Sequence, residues 1–481
     1  MSIKQKTVSG ILWSSVDNLV NQGITFIVGI ILARLLSPEE FGLIGMITIF
    51  IAVSESFIRS GFSEALIRKK DCTPSDYSTV FYYNLLIGVL FYIVLFFLSP
   101  AISRFFEEPV LKEIIRVLSL VLIINAISII QGAILIKRVD FKLLTRITII
   151  SSLSSGLLAI IMAYKGFGVW SLVALTLTRQ ALHALFLWIW NRWRPILVFS
   201  KTSFMELFGF GSKLLISGLI DTIYRNIYYL VIGKYFSARE LGFYTRARTF
   251  SNFPSQNINM VVNRVTYPIL AEVQDDHELL KDGYRRILKS LMLVTFVLMF
   301  GLAAVAEPMV ITLIGEKWRT SVIYLQMLCF ASVLYPVHAL NLNILKVKGR
   351  SDLYLKLEII KKILAVPTII IGVVFGIKIM IIGMIFNSLF SYYLNSYYSG
   401  KLIGYSMTYQ LKDIRYSFLL ALGMALIVYL LGYFLDTSYP VTLILQIVSG
   451  AIIVFGVCEF TKMADYHYLK NIISDAIFKR K

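Results

Sequence analysis

Apolar residues along this chain come in blocks of about twenty, the length a helix needs to cross the hydrocarbon core of a bilayer. Barrel strands would instead show segments of about ten residues alternating in hydrophobicity, and the blocks do not alternate. Marking the blocks predicts about 14 spans. The first seven cover residues 10–33, 41–62, 79–99, 113–136, 145–164, 168–190 and 208–233. The next seven cover 243–266, 288–306, 320–345, 357–376, 379–399, 416–434 and 441–461. Every loop between them is short, so no soluble domain fits. The expected fold is an all-α polytopic membrane protein.

Lys and Arg divide unevenly between alternate loops. One set includes Lys4, Lys6, Arg68, Lys69, Lys70, Lys137, Arg138, Arg285, Arg286, Lys346, Lys348 and the basic tail. The other includes Arg34, Arg104, Lys112, Lys165, Lys234, Lys317 and Arg319. The ratio is about 30 to about 10, which by the positive-inside rule places both termini in the cytoplasm. The first span shows no small-residue cleavage site, so the reading is a retained first helix.

The chain also repeats itself at an offset of about 200 residues. Ser37-Pro38-Glu39-Glu40-Phe41-Gly42-Leu43 lies over Ser237-Ala238-Arg239-Glu240-Leu241-Gly242-Phe243. Each copy sits between a first and a second span, and an even number of spans separates them. The two halves therefore share one orientation, and transporters built this way hold substrate between the halves. Spans 13 and 14 fall outside the repeat, giving 1–200, 201–405 and 406–481 as the three segments.

Composition strengthens the class assignment. Hydrophobic residues make up 57% and charged residues 16%, against roughly a quarter charged in a soluble domain. The net charge of +19 fits basic loops facing an anionic leaflet, and nucleic acid is not an expected partner. Cys72, Cys329 and Cys458 are far apart and read as ordinary thiols. No Walker A, HExxH or GxSxG motif and no metal-ligand cluster is present. The outer loops are too short for a catalytic domain. The expectation is a transporter without an enzyme activity or a cofactor, except for a coupling H⁺ or Na⁺.

Charge inside a span is costly, so such residues face a cavity, a partner or an interface. Among the 47 Lys and Arg, those in spans include Arg59, Arg179, Lys213, Arg225, Arg246, Arg248 and Arg264. Arg59, Lys213 and Arg264 lie near the cytoplasmic end, where a long side chain can reach the interface. Arg179 and Arg225 lie near the midplane. The acids in spans are fewer and include Asp17, Glu55 and Asp221. Glu55 precedes Arg59 by four residues and Asp221 precedes Arg225 by four, which puts each pair on one helix face. Either each pair neutralises itself, or the acid exchanges an ion while the arginine holds an anion. Asp17, with no cation one turn away, is a lone candidate for coupling or a hydrogen-bonded structural group. The eighth span is too polar for lipid, and Arg248, Asn252, Gln256, Asn259 and Asn263 form one stripe on it. Amides suit a hydroxyl-rich glycan, or equally hydrogen bonds between helices. Pro254 should kink this helix. His183 and His338 are further polar positions in spans.

Arg179 and Arg225 are the expected holders of a substrate anion, with Arg59 at the cytoplasmic mouth and Arg248 at the exit. Asn252, Gln256 and Asn259 would meet sugars. Asp17, Glu55 and Asp221 are the candidate sites for H⁺ or Na⁺. An organic-cation antiporter is the alternative, but it needs an acidic cavity.

Leu241-Gly242-Phe243-Tyr244-Thr245-Arg246-Ala247, followed by Pro254 and Tyr267-Pro268, resembles the polysaccharide branch of the multidrug/oligosaccharidyl-lipid/polysaccharide flippase superfamily. Ser9-Gly10-Ile11-Leu12-Trp13 and the Ala33-to-Gly42 stretch look like that family's first two helices, and Asn343-Ile344-Leu345 with Gly349-Arg350 like the end of its tenth. The resemblance covers the whole chain and is nearest to Wzx-type exporters of O-antigen, colanic-acid or teichuronic-acid units. It implies two pseudo-symmetric six-helix lobes around a cationic cavity, plus two extra helices, working by alternating access. The implied substrate is an undecaprenyl-diphosphate-linked oligosaccharide, with membrane lipids and glycan polymerase or assembly proteins as partners. The resemblance supplies no invariant catalytic residue.

Overall fold

The computed structural model describes residues 3–59, 61–262 and 266–478, and these form helices and turns with no strand among them. The first series is α1 (Ile3–Leu35), α2 (Pro38–Arg59), α3 (Phe62–Arg68), α4 (Pro74–Phe106), α5 (Leu111–Leu118), α6 (Leu120–Lys137), α7 (Phe141–Tyr164) and α8 (Trp170–Asn191). A second series follows in the same order. It runs α9 (Lys201–Tyr235), α10 (Ala238–Val261), α11 (Tyr267–Glu272), α12 (His277–Ala304), α13 (Ala306–Ile314), α14 (Thr320–Ser332), α15 (Tyr335–Val347), α16 (Ser351–Phe375) and α17 (Ile377–Ile403). Then come α18 (Met407–Phe434), α19 (Tyr439–Phe460) and α20 (Ala464–Phe478). The series match in detail. Short α3 corresponds to short α11, and the fourth span breaks at Ser119 where its counterpart breaks at Val333 and Leu334.

Among the described residues, every predicted span coincides with helix. Among the described residues, 11 helices are long and apolar enough to cross a membrane, and a twelfth is α9, bent by 54° between Gly209 and Leu214. The expectation of 14 exceeds this by α10 and α16. Both are long enough, but α10 carries Arg246, Arg248 and its amides, and α16 carries Lys356, Glu358, Lys361 and Lys362. Asn263 and Arg264 lie outside the described residues, as does the Lys213 side chain.

Contacts group the chain into two compact units, Met1–Gly242 and Phe243–Lys481. In the first unit α1 packs on α7, α7 on α8, α4 on α6, and α2 on α9. Phe62, Leu66, Phe81, Ile130, Ile134 and Leu207 form one of its cores, with Trp188 and Trp193 against it.

The repeated motif has a structural cause. The Ser37 N–H donates to Glu40 Oε2 at 2.6 Å, and the Glu40 N–H points back to Ser37 Oγ at 3.4 Å. That is a capping box, the reciprocal satisfaction of two helix-terminal donors. In the second copy the Glu240 N–H donates to Ser237 Oγ at 3.1 Å. The glycine of each copy lets the other copy come close. A Cβ on Gly42 would lie 1.7 Å from the Ala238 carbonyl oxygen, and one on Gly242 would lie 1.8 Å from that of Pro38. Exchanging the two copies leaves this pairing unchanged, the signature of a local two-fold contact.

In the second unit α12 packs chiefly against α18, with Ala304, Val305, Met424 and Val428 between them. A fully buried polar network reinforces the contact. The Tyr284 hydroxyl donates to Asn341 Oδ1 at 2.8 Å, the Ser399 hydroxyl donates to the same oxygen, and Gln410 Nε2 donates to the Tyr405 carbonyl at 3.2 Å. α18 is thus tied to α12, α15 and α17 by groups that would be costly to leave unpaired. His338 is held similarly, its Nε2 3.2 Å from Ser388 Oγ and its Nδ1 3.4 Å from Asn395. The three cysteines are free.

Candidate functional site

The capping box starts α2 at a fixed residue, and this sets Glu55 and Arg59 one turn apart on it near its far end. Glu55 points inward. Asn125 of α6 donates its side-chain amide to Glu55 Oε1, and Arg59 and Arg179 both lie within range of the carboxylate's charge. Arg179 comes from α8, and His183 follows it by one turn, near enough to feel its charge. The His183 Nδ1 is buried without a hydrogen-bond partner. The Glu55 carboxylate is therefore oriented by a neutral amide, and neither guanidinium closes onto it as an ion pair among the described residues. Two cations share one anion, so the cluster retains positive charge.

Asp221 and Arg225 lie on α9. Arg225 Nε meets Asp221 Oδ2 at 2.6 Å, and the arginine side chain is 70% exposed. Ser56 Oγ lies 3.0 Å from Thr222 Oγ1. Since these neighbour Glu55 and Asp221 in sequence, the hydrogen bond sets the two acid–arginine turns at one level of the first unit. The structure brings Glu55, Arg59 and Arg179 together on α2 and α8, and Asp221 and Arg225 form a separate ion pair on α9.

Asp17 stands elsewhere. It lies against Thr148 of α7, and its Oδ1 is buried without a hydrogen-bond partner. One turn on, Asn21 Oδ1 accepts from Ser152 Oγ at 3.0 Å. The two contacts form a polar seam between α1 and α7.

In the second unit, α10 has two faces. Ala247, Ser251, Ser255 and Ile258 are buried, whereas Arg248, Asn252 and Asn259 are half-buried and Gln256 is exposed. Small side chains pack inward and the amide stripe turns to the more open side. Arg248 donates from Nη1 to the Tyr244 hydroxyl at 2.9 Å, which holds the guanidinium along the helix. Sequence reasoning missed Asn125 and Thr222. Each is a single polar residue in an apolar or mixed stretch, and only the helix packing identifies its partner.

An array of long apolar helices carrying inward polar clusters defines a multi-pass helical membrane protein. A family model described as "Polysaccharide biosynthesis protein" matches residues 31–323, and the chain belongs to that family. It is similar to the lipopolysaccharide biosynthesis protein WzxC of Escherichia coli (strain K12), with 26% identity over 439 residues, covering 90% of this chain and 89% of WzxC. It is also similar to the teichuronic acid biosynthesis protein TuaB of Bacillus subtilis (strain 168), with 28% identity over 354 residues and 73% of each chain covered. In fold it is similar to the lipid II flippase MurJ in an inward closed conformation, with a TM-score of 0.77 at 16% identity, covering 94% of this chain and 99% of that one.

Proposed function

We propose that the chain is a flippase for a lipid-linked anionic glycan and not an enzyme. The substrate is an undecaprenyl-diphosphate-linked oligosaccharide, turned from the cytoplasmic to the outer leaflet of the bacterial inner membrane. Both termini face the cytoplasm on this reading, as the loop charges favour. Membership of a polysaccharide biosynthesis family supports the substrate class.

The observation that carries the mechanism is the retained positive charge of the Glu55, Arg59 and Arg179 cluster, beside Arg225. Guanidinium groups bind phosphate oxygens bidentately and stay charged at every relevant pH. Arg179 and Arg225 hold the diphosphate, Arg59 receives it and Arg248 releases it. Asn252, Gln256 and Asn259 meet the sugars, and the polyprenyl tail stays in lipid. Glu55, Asp221 or Asp17 binds H⁺ or Na⁺ and biases the exchange between lobes. The lobes follow the repeat, 1–200 and 201–405, with 406–481 added. Glycan polymerase and assembly proteins are the partners downstream.

Arg225 supplies a direct test. Arg225→Gln keeps a hydrogen-bond donor beside Asp221, so expression and melting should fall only modestly. Complementation of a flippase-null strain should nevertheless fall at least about tenfold, the usual weight of one charge-assisted contact. Full complementation would remove Arg225 from the phosphate path.

A further inference from the structure

Helix α20 follows α19 and packs on the N-terminal half of α12, where Lys289 meets Asp465 at 3.0 Å. Between them lies a cavity of about 420 Å³. Ligand sites run from roughly 300 to 1,000 Å³, so this one takes a small polar group and excludes a whole oligosaccharide lipid.

The charges lining it are not equivalent. Arg285 is clamped by Asp413, Nε to Oδ2 at 2.5 Å and Nη2 to Oδ1 at 2.9 Å. Lys289 is likewise committed to Asp465. These two pairs brace the walls and nearly cancel. Arg286 is different: it is exposed, it lines the cavity, and it is in no ion pair among the described residues. One turn further, Ser290 lines the same cavity on the same helix face. Ser290 is only 6% exposed, yet its hydroxyl has no hydrogen-bond partner. A buried hydroxyl left unpaired is uncommon and unfavourable, and an oxygen of a bound ligand would satisfy it.

A guanidinium and a hydroxyl one turn apart make a donor set for a tetrahedral oxyanion. Asp282, a turn before Arg286, also lines the space. Its negative charge disfavours a dianion and leaves a singly charged phosphodiester as the best fit. The Lys- and Arg-rich end of α12 is also the end that the loop charges assign to the anionic cytoplasmic leaflet, and basic pockets there take lipid headgroups.

We propose that this cavity binds the phosphodiester of an anionic phospholipid headgroup, with Arg286 and Ser290 holding its oxygens and the acyl chains outside. The site lies within one unit and is independent of the transport reading above. Thermal unfolding of the purified full-length protein in detergent tests it, with dihexanoyl phosphatidylglycerol, dihexanoyl phosphatidylcholine and inorganic phosphate as separate probes. Phosphatidylglycerol should raise the melting temperature saturably, while phosphatidylcholine, whose own trimethylammonium offsets its phosphodiester charge, should do so much more weakly. Arg286→Gln should weaken the apparent affinity about tenfold and Ser290→Ala about threefold. Arg286→Lys should fall between wild type and Arg286→Gln. Because Ser290→Ala removes an unpaired group, its melting without lipid should not drop, which separates a folding defect from lost binding. Equal response to phosphatidylcholine, response to inorganic phosphate alone, or variants that bind like wild type would each overturn the proposal.

Discussion

Cells carrying Arg179→Ala in place of the natural chain should lose export of the lipid-linked glycan completely. Two effects point the same way, so a single variant cannot separate them. Glu55 is half-buried in the first unit, and removing Arg179 leaves it with Asn125 and the more exposed Arg59. The carboxylate loses a nearby cation, and lower protein levels would follow. The second effect is loss of the proposed phosphate contact. Glu55→Gln combined with Arg179→Gln removes both charges and keeps the amide hydrogen bonding of the pocket. This double variant should recover most of the expression and melting temperature, yet still export nothing. Export at the natural rate by the double variant would make the cluster a structural ion group and end the phosphate assignment. Arg179→Lys keeps the charge without the planar fork, and export reduced by about tenfold is expected. Export is read as surface polysaccharide in a flippase-null strain, alongside protein level by immunoblot.

The second large effect is on folding. Alanine at Gly42 places a methyl group 1.7 Å from the Ala238 carbonyl oxygen, and that neighbour is backbone and cannot rotate aside. The starts of α2 and α10 must separate, and with them the capping boxes. Overpacking against yielding side chains costs about 1–3 kcal/mol, so the loss here should reach or exceed the top of that range. Gly242→Ala, 1.8 Å from the Pro38 oxygen, should do the same. Because both variants strain one contact, the double variant should be less harmful than the sum of the singles. Gly132 is the control: it is helical with nothing within 4 Å of an added Cβ, and alanine there should be neutral or stabilising by up to about 1 kcal/mol. Yield of monodisperse protein and melting temperature report the difference. Indistinguishable Gly42 and Gly132 variants would refute the close approach.

These two predictions draw unequally on the sequence. The Gly42 contact was half visible there: the offset of the motif and its S-x-x-E spacing can be read from letters, because capping is a local interaction. What could not be read is that each copy's glycine faces the other copy's carbonyl, since nothing in either heptapeptide names its partner. Helix positions were legible because hydrophobic length is a strong signal. The breaks at Ser119 and at Val333 and Leu334 were not, because apolar residues continue on both sides. Polarity misled the span count at α10 and α16, where length and composition disagree. For the charged cluster, four-residue spacing made the Asp221–Arg225 pair foreseeable. The approach of Arg179 to Glu55 joins residues more than a hundred positions apart, and the Asn125 contact had no sequence signal. Gln410 and Asp413 precede the predicted span 416–434, and their role in joining α18 to α12 emerges only in three dimensions.

That junction limits how the chain can be shortened. α18 and α19 stand outside the duplicated series, which makes them look like a removable appendix. Yet Gln410 lies among Tyr284, Asn341 and Tyr392, so cutting after residue 405 would open a dry polar interior to lipid. A version without α18 and α19 would have to be re-engineered with apolar residues at Tyr284, Asn341 and Ser399 before it could stand alone.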